Sequence, residues 1–90
     1  MAWTIEFSPG AKRDVDKLDR QHAKRILRFL FDRLARLEDP RSIGEPMVGP
    51  KCGEFWKYRV GDYRILAKMA NERFVVVVVK VGHRREVYRD

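Results

Sequence analysis

The segment Lys57-Tyr58-Arg59-Val60-Gly61-Asp62-Tyr63-Arg64-Ile65 constrains the fold more than any other stretch of the chain. Two alternating runs flank Gly61-Asp62, which suits a two-residue hairpin loop of type II′ with Gly first. A loop of that length fixes the register. Val60 then pairs with Tyr63, and Arg59 lies directly opposite Arg64. Like charges so placed destabilise a sheet. An anion shared between the two arginines removes the conflict, and phosphate is the obvious candidate. On that reading, neutralising either arginine leaves folding unharmed or improves it.

The elements around the hairpin follow from periodicity. Trp3, Ile5 and Phe7 alternate with Thr4 and Glu6, the period of a half-buried strand. Ser8-Pro9 reads as an N-cap with Pro at the first helical position. Ala11, Val15 and Leu18 carry a short amphipathic helix that ends near Leu18. Asp19 is placed to cap a second helix, with a buried stripe of Ala23, Ile26, Leu27, Leu30, Leu34 and Leu37. Asp39-Pro40 stops it. Phe29 and Phe31 flank the stripe on opposite sides, which fits either a wide core face or a docking surface for a partner segment.

Residues 39–53 form a loop rich in Pro and Gly. Three strands follow, at about 54–60, 63–69 and 74–81, with turns at Gly61-Asp62 and around Asn71-Glu72. The last strand is a valine run without alternation, the pattern of a strand buried on both sides. The order β-α-α-β-β-β predicts an α+β fold: a two-helix hairpin on one face of a mostly antiparallel four-stranded sheet. Trp56, Tyr58, Val60, Tyr63, Ile65 and Ala67 should face the helices. Phe55, Lys57, Arg59, Arg64, Leu66 and Lys68 should face away. Continuing the pairing through the second turn sets Arg64 near Val79, with Val81 and His83 following on the same face. Lys57, Arg59, Arg64 and Gly82-His83-Arg84-Arg85 then converge at one end of the sheet. The alternative is a merely solvated basic face.

Ninety residues fit one small domain. A chain of that size buries only roughly 60% of its unfolded surface, so one core must carry its stability. Twenty Lys and Arg against 13 Asp and Glu leave a net charge of +7. The excess suits an anionic partner such as nucleic acid, a ribosome or an acidic protein, or simply keeps the chain soluble. Cys52 is the sole cysteine, so neither an intrachain disulfide nor a cysteine zinc cluster can form. The reducing cytoplasm is the default compartment. The N-terminus has no signal-peptide pattern, and the run from Phe74 to Val79 is too short to span a bilayer.

Several chemistries lack their motifs. Carboxylates are not clustered at metal-ligand spacing, His22 and His83 are far apart, and neither a glycine-rich phosphate loop nor G-x-S-x-G occurs. No metal or cofactor is implied. What remains is metal-free phosphate chemistry, or binding without chemistry. Metal-free RNA cleavage needs a base for the ribose 2′-OH, cations for the phosphorane oxygens and an acid for the leaving 5′-oxygen. Lys, Arg and His can share these roles. DNA lacks the 2′-OH, so the route is restricted to RNA.

With these motifs the chain resembles the RelE family of bacterial toxins, within the RelE/ParE superfamily. The resemblance runs over nearly all of residues 1–90 as one RelE-like toxin domain. It rests on the opening strand with Ser8-Pro9-Gly10-Ala11, the helical hairpin, Lys57-Tyr58-Arg59-Val60-Gly61-Asp62-Tyr63-Arg64, and Val81-Gly82-His83-Arg84-Arg85-Glu86-Val87-Tyr88. The resemblance implies a ribosome-dependent mRNA endoribonuclease that cuts in the ribosomal A site, leaves 2′,3′-cyclic phosphate and 5′-hydroxyl ends, and inhibits translation. It also implies a cognate antitoxin, with DNA contacted only through that antitoxin. By position, Lys57 matches a catalytic lysine and the general base. Arg59 stands where a second lysine often stands, Arg64 matches the phosphate-stabilising arginine, Arg84 a leaving-group acid or electrostatic stabiliser, and Tyr88 a base-stacking tyrosine. Lys68, His83 and Arg85 are candidate substrate contacts. His83 is either the acid or a turn residue whose imidazole satisfies local backbone. The Gly-x-Tyr-Arg hairpin is shared with the ParE branch, so a gyrase inhibitor without nuclease activity is the alternative.

Overall fold

A computed structural model describes residues 2–47 and 55–87. Strand β1 (Thr4–Phe7) leads into helix α1 (Pro9–Asp16) and helix α2 (Arg20–Arg28). The second helix continues through a π turn (Phe29–Arg33) into a 3₁₀ turn (Leu34–Arg36). A further 3₁₀ turn (Pro40–Ile43) precedes the two-residue strand β2 (Glu45–Pro46). Strands β3 (Trp56–Val60), β4 (Tyr63–Ala70) and β5 (Val75–His83) form a meander, and the short helix α3 (Arg84–Val87) follows.

The sheet is mixed and has five strands in the order β1-β5-β4-β3-β2. The α+β class is as expected from the sequence, with β2 as an additional fifth strand. Its two residues, inside a Pro- and Gly-rich loop, carry no strand period. β1 runs parallel to β5, Thr4 against Val75 through Phe7 against Val78, and the other pairs are antiparallel. A parallel pair needs a crossover connection, here the whole chain between residues 7 and 75. β5 is therefore an interior strand, as its valine run implies.

Local signals explain the helix starts. The Ser8 hydroxyl accepts a hydrogen bond from the Ala11 N–H at 3.1 Å, with Pro9 beginning α1. Asp19 occupies the N-cap position of α2 but makes no side-chain capping bond. The α2 stripe buries as its spacing requires: Ile26, Leu30 and Leu34 are fully buried, while Ala23, Leu27 and Leu37 are half-buried at its margins. Ile26, Leu30 and Leu34 make one core with Tyr58, Ile65, Ala67, Val76 and Val78, and Leu37 packs against it. Fully burying a Leu, Ile or Val contributes about 1.5–3 kcal/mol, so this stripe is a major source of stability. Phe29 belongs to the core face, whereas Phe31 lies at the surface. Phe29 packs on Tyr58, with ring centroids 5.9 Å apart. Phe31 is 47% exposed and leans on Phe7.

The first hairpin has the register its loop dictates: Val60 pairs with Tyr63 and Arg59 with Arg64. Gly61 has φ +60°, and Arg25 of α2 lies so close that a Cβ there would meet Nη1 at 2.8 Å. The positive φ favours glycine, while the flexible end of Arg25 could move aside for a Cβ.

The second turn lies where the sequence places it, around Asn71-Glu72, but the register beyond it differs. Asn71–Arg73 form a 3₁₀ turn, and Phe74 leaves it in the left-handed region at φ 53°. A register shift follows at Leu66/Ala67, where Leu66 pairs with Lys80 and Ala67 with Val78. Val79 is the extra residue of this β-bulge. Arg64 consequently pairs with Gly82 instead of lying near Val79. That displacement is an odd number of residues, and an odd displacement exchanges the faces of a strand.

Candidate functional site

The face of the sheet away from α1 and α2 carries Lys57 and Arg59 from β3, Arg64, Leu66 and Lys68 from β4, and Lys80 from β5. Pairing ranks them in rows. Arg59, Arg64 and Gly82 form the row next to the Gly61-Asp62 turn. Lys57, Leu66 and Lys80 form a row two residues further along the strands. Lys68, paired with Val77, lies beyond, about 13 Å from Arg64 along β4 at roughly 3.3 Å per residue. Its ammonium sits over the Phe55 ring, 4.9 Å from the centroid. The structure thus brings Lys57, Arg59 and Arg64 together and leaves Lys68 at the far end of the face.

The two opposed arginines have separate partners. Arg64 is 9% exposed, and its Nη1 donates to the carbonyls of Gly61 at 3.0 Å and Tyr63 at 2.9 Å. The turn's own carbonyls therefore ease the like-charge contact from one side. On the other side, Glu45 of β2 reaches Arg59 Nε at 3.8 Å and Lys57 Nζ at 3.6 Å. Against the expectation that either arginine is dispensable for folding stand these two bonds, by which Arg64 ties the hairpin tip together. Glu45, Lys57 and Arg59 line a cleft of about 160 Å3 with Phe29, Arg33 and Ile43. It lies at the β3 edge, where among the described residues β2 pairs with Trp56 and Lys57 alone.

His83 is a correction. It pairs with Tyr63, on the helix side of the sheet, and so does not join Lys57, Arg59 and Arg64. Its ring meets Tyr63 edge-on at 5.8 Å, and Tyr63 in turn stacks near His22 at 4.8 Å. His83 Nδ1 accepts the Arg85 N–H at 3.2 Å. This is the turn role that a histidine before a helix can take. Arg84 opens α3, and its backbone N–H donates to the Asp62 carbonyl at 2.8 Å. Its exposed side chain, like that of Arg85, belongs to the turn end of the sheet. α3 folds back over the basic face: Val87 is 5% exposed, and a Cβ on Gly82 would stand 3.1 Å from its Cγ2. Tyr88 and Cys52 lie outside the described residues.

Two residues were missed in the sequence. Glu45 sits in a loop with no periodic signal. Lys80 interrupts a run of valines, which was a visible signal, but the displaced register assigned it to the wrong face. Among the described residues, no three His, Cys, Asp or Glu side chains gather as a metal-ligand set, and no helix is long and apolar enough to cross a membrane.

A small mixed sheet with a helical hairpin on one face and clustered cations on the other makes a basic α+β module. Residues 5–88 match the family model described as ParE toxin of the type II toxin–antitoxin system parDE, and the chain belongs to this RelE/ParE family of toxins. It is 34% identical to Toxin RelG of Mycobacterium tuberculosis over 89 residues, which cover 99% of each chain. The crystal structure of the RelBE2 toxin–antitoxin complex from the same organism superposes with a TM-score of 0.85 at 30% identity, covering 93% of this chain and 100% of that one. The isolated RelE toxin of E. coli superposes with a TM-score of 0.69 at 25% identity, covering 97% and 92%.

Proposed function

We propose that this toxin is a metal-independent, ribosome-dependent mRNA endoribonuclease, silenced by a cognate antitoxin. The observation that carries the reading is the grouping of Lys57, Arg59 and Arg64 on one face, set by the β3–β4 register. The toxin–antitoxin complex among its structural relatives supports the antitoxin as partner.

The step this arrangement serves is transesterification within RNA. Lys57 takes the proton from the 2′-OH of the nucleotide before the scissile bond. The 2′-oxygen bonds to phosphorus, and negative charge grows on the non-bridging oxygens. Arg59 offers a planar fork of donors to those oxygens. Arg64 adds positive charge from below, with Nη1 held by the turn. The P–O5′ bond breaks, and Arg84, or water beside it, supplies the proton to the leaving oxygen. The products are a 2′,3′-cyclic phosphate and a 5′-hydroxyl. Tyr88 is assigned the stacking role on the substrate base. Lys68 and Arg85 extend the positive surface along which the strand lies.

Induced expression followed by primer extension on cellular mRNA tests the reading. Growth arrest with cuts inside translated codons is expected, and Lys57→Ala should abolish both. Growth arrest with intact mRNA would overturn it. Gyrase-dependent DNA breaks in that case would establish the ParE-like alternative, which the description of the matching family model favours.

A further inference from the structure

Lys80 is the one charged residue of β5 between Val75 and Val81, and the bulge decides where it points. Val78 faces the core and is fully buried. Strict alternation from Val78 would turn residue 80 inward and residue 81 outward. The extra residue at Val79 inverts this. Val81 becomes a core residue, 4% exposed and paired with Ile65, and Lys80 pairs with Leu66 on the outer face. Bulges commonly re-aim a side chain beside a functional site.

The result is a row of Lys57, Leu66 and Lys80 across three adjacent strands. At about 4.8 Å per strand, the two lysines stand roughly 10 Å apart at Cα, with a half-buried leucine between them as an apolar floor. Among the described residues, two strand carboxylates of this face are paired with other cations: Glu6 with Arg73 at 3.2 Å and Glu45 with Lys57 and Arg59. No ion pair among the described residues includes Lys80.

We propose that Lys80 is a substrate-positioning residue that binds an RNA phosphate next to the scissile one, with the intervening ribose or base resting on Leu66. The nature of the ligand rests on the RNA-cleaving function proposed above. Two long cationic side chains flanking an apolar floor match the repeat of a single strand, in which charge alternates with apolar ring surface. Lys80 sets the path of the strand across β4, so that the phosphate beside Arg59 and Arg64 is the one attacked.

Binding of a fluorescein-labelled single-stranded RNA oligomer across a range of salt concentrations tests this without requiring cleavage. Each phosphate contact to a single strand contributes about −0.7 to the slope of log K against log salt. Lys80→Met should weaken binding about 3- to 10-fold at low salt and flatten the slope by about 0.7, and Lys80→Arg should restore both. Lys12→Met, on the helix side, should match wild type. A Lys80→Met slope equal to that of wild type would overturn the proposal. Cleavage on ribosomes is scored separately, so a toxin that fails to cut but loses the slope defeats the nuclease reading and not the phosphate contact.

Discussion

Arg59 and Arg64 face each other across the β3–β4 ladder, yet each is held by a different partner. Arg64 bonds the Gly61 and Tyr63 carbonyls beneath the turn, and Arg59 points to the Glu45 carboxylate at the sheet edge. The two therefore separate in mutagenesis. Arg64→Ala removes a nearly buried charged donor and strands two carbonyls, at a cost of about 1–3 kcal/mol. Arg59→Ala, at an exposed site, should stay within about 0.5 kcal/mol of wild type. Urea denaturation of both variants measures the difference, and equal midpoints would contradict it.

Glu45 presents a carboxylate where an incoming phosphate would meet Lys57 and Arg59. Because its side chain is 57% exposed, the ion pairs contribute little to folding. Glu45→Gln should leave the unfolding midpoint nearly unchanged and tighten binding of a short RNA oligomer severalfold at low salt. Fluorescence anisotropy reads this directly. Unchanged affinity would mean that the carboxylate does not compete for the cations.

Tyr58 is buried and donates its hydroxyl to the Pro40 carbonyl at 2.8 Å. Burial pushes its pKa above the ordinary tyrosine value of about 10, with Arg41 opposing the rise and Asp39 adding to it. The folded state thus holds this proton more tightly than the unfolded state. Its contribution is complete below about pH 10 and diminishes as pH rises beyond that, because the unfolded chain ionises first. Tyr58→Phe should cost about 1 kcal/mol at neutral pH and show a shallower loss of stability above about pH 10. Denaturation midpoints across the alkaline range test the slope.

Beyond the end of β1, the Val81 N–H has no strand partner on that side and donates to Asp14 Oδ2 of α1 at 3.0 Å. Asp14→Ala leaves that group without its acceptor, at a cost of about 1–2 kcal/mol. Asp14→Asn, which keeps an acceptor, should recover part of the loss. Amide hydrogen exchange at Val81 should quicken in the alanine variant.

The legible parts of this chain are those with a short, rule-bound connection. Gly61-Asp62 fixes a loop length, and the loop fixes register and faces, so the core residues and the Lys57, Arg59, Arg64 grouping could be read. The second turn has no such rule. A 3₁₀ turn, a phenylalanine in the left-handed region and a bulge inside identical valines each displace the pairing without a compositional sign. His83 and Lys80 exchanged faces as a result. The π turn at Phe29–Arg33 is equally silent, because the apolar stripe continues through it. Glu45 became part of the site through a two-residue strand, too short to show any period.

The parallel pairing of Thr4–Phe7 with Val75–Val78 bears on how the toxin is made. β1 must wait for β5, made much later, before it has a neighbour in the sheet. Until residues 75–83 are available, β1 and β4 each lack the strand that lies between them. Such distant contacts form late and slowly. The nascent chain can pair Arg59 with Arg64 in the β3–β4 hairpin, but it cannot complete the Lys57, Leu66, Lys80 row until β5 is available. A protein whose proposed target is the translating ribosome would thus lack part of its basic face until β5 has been made.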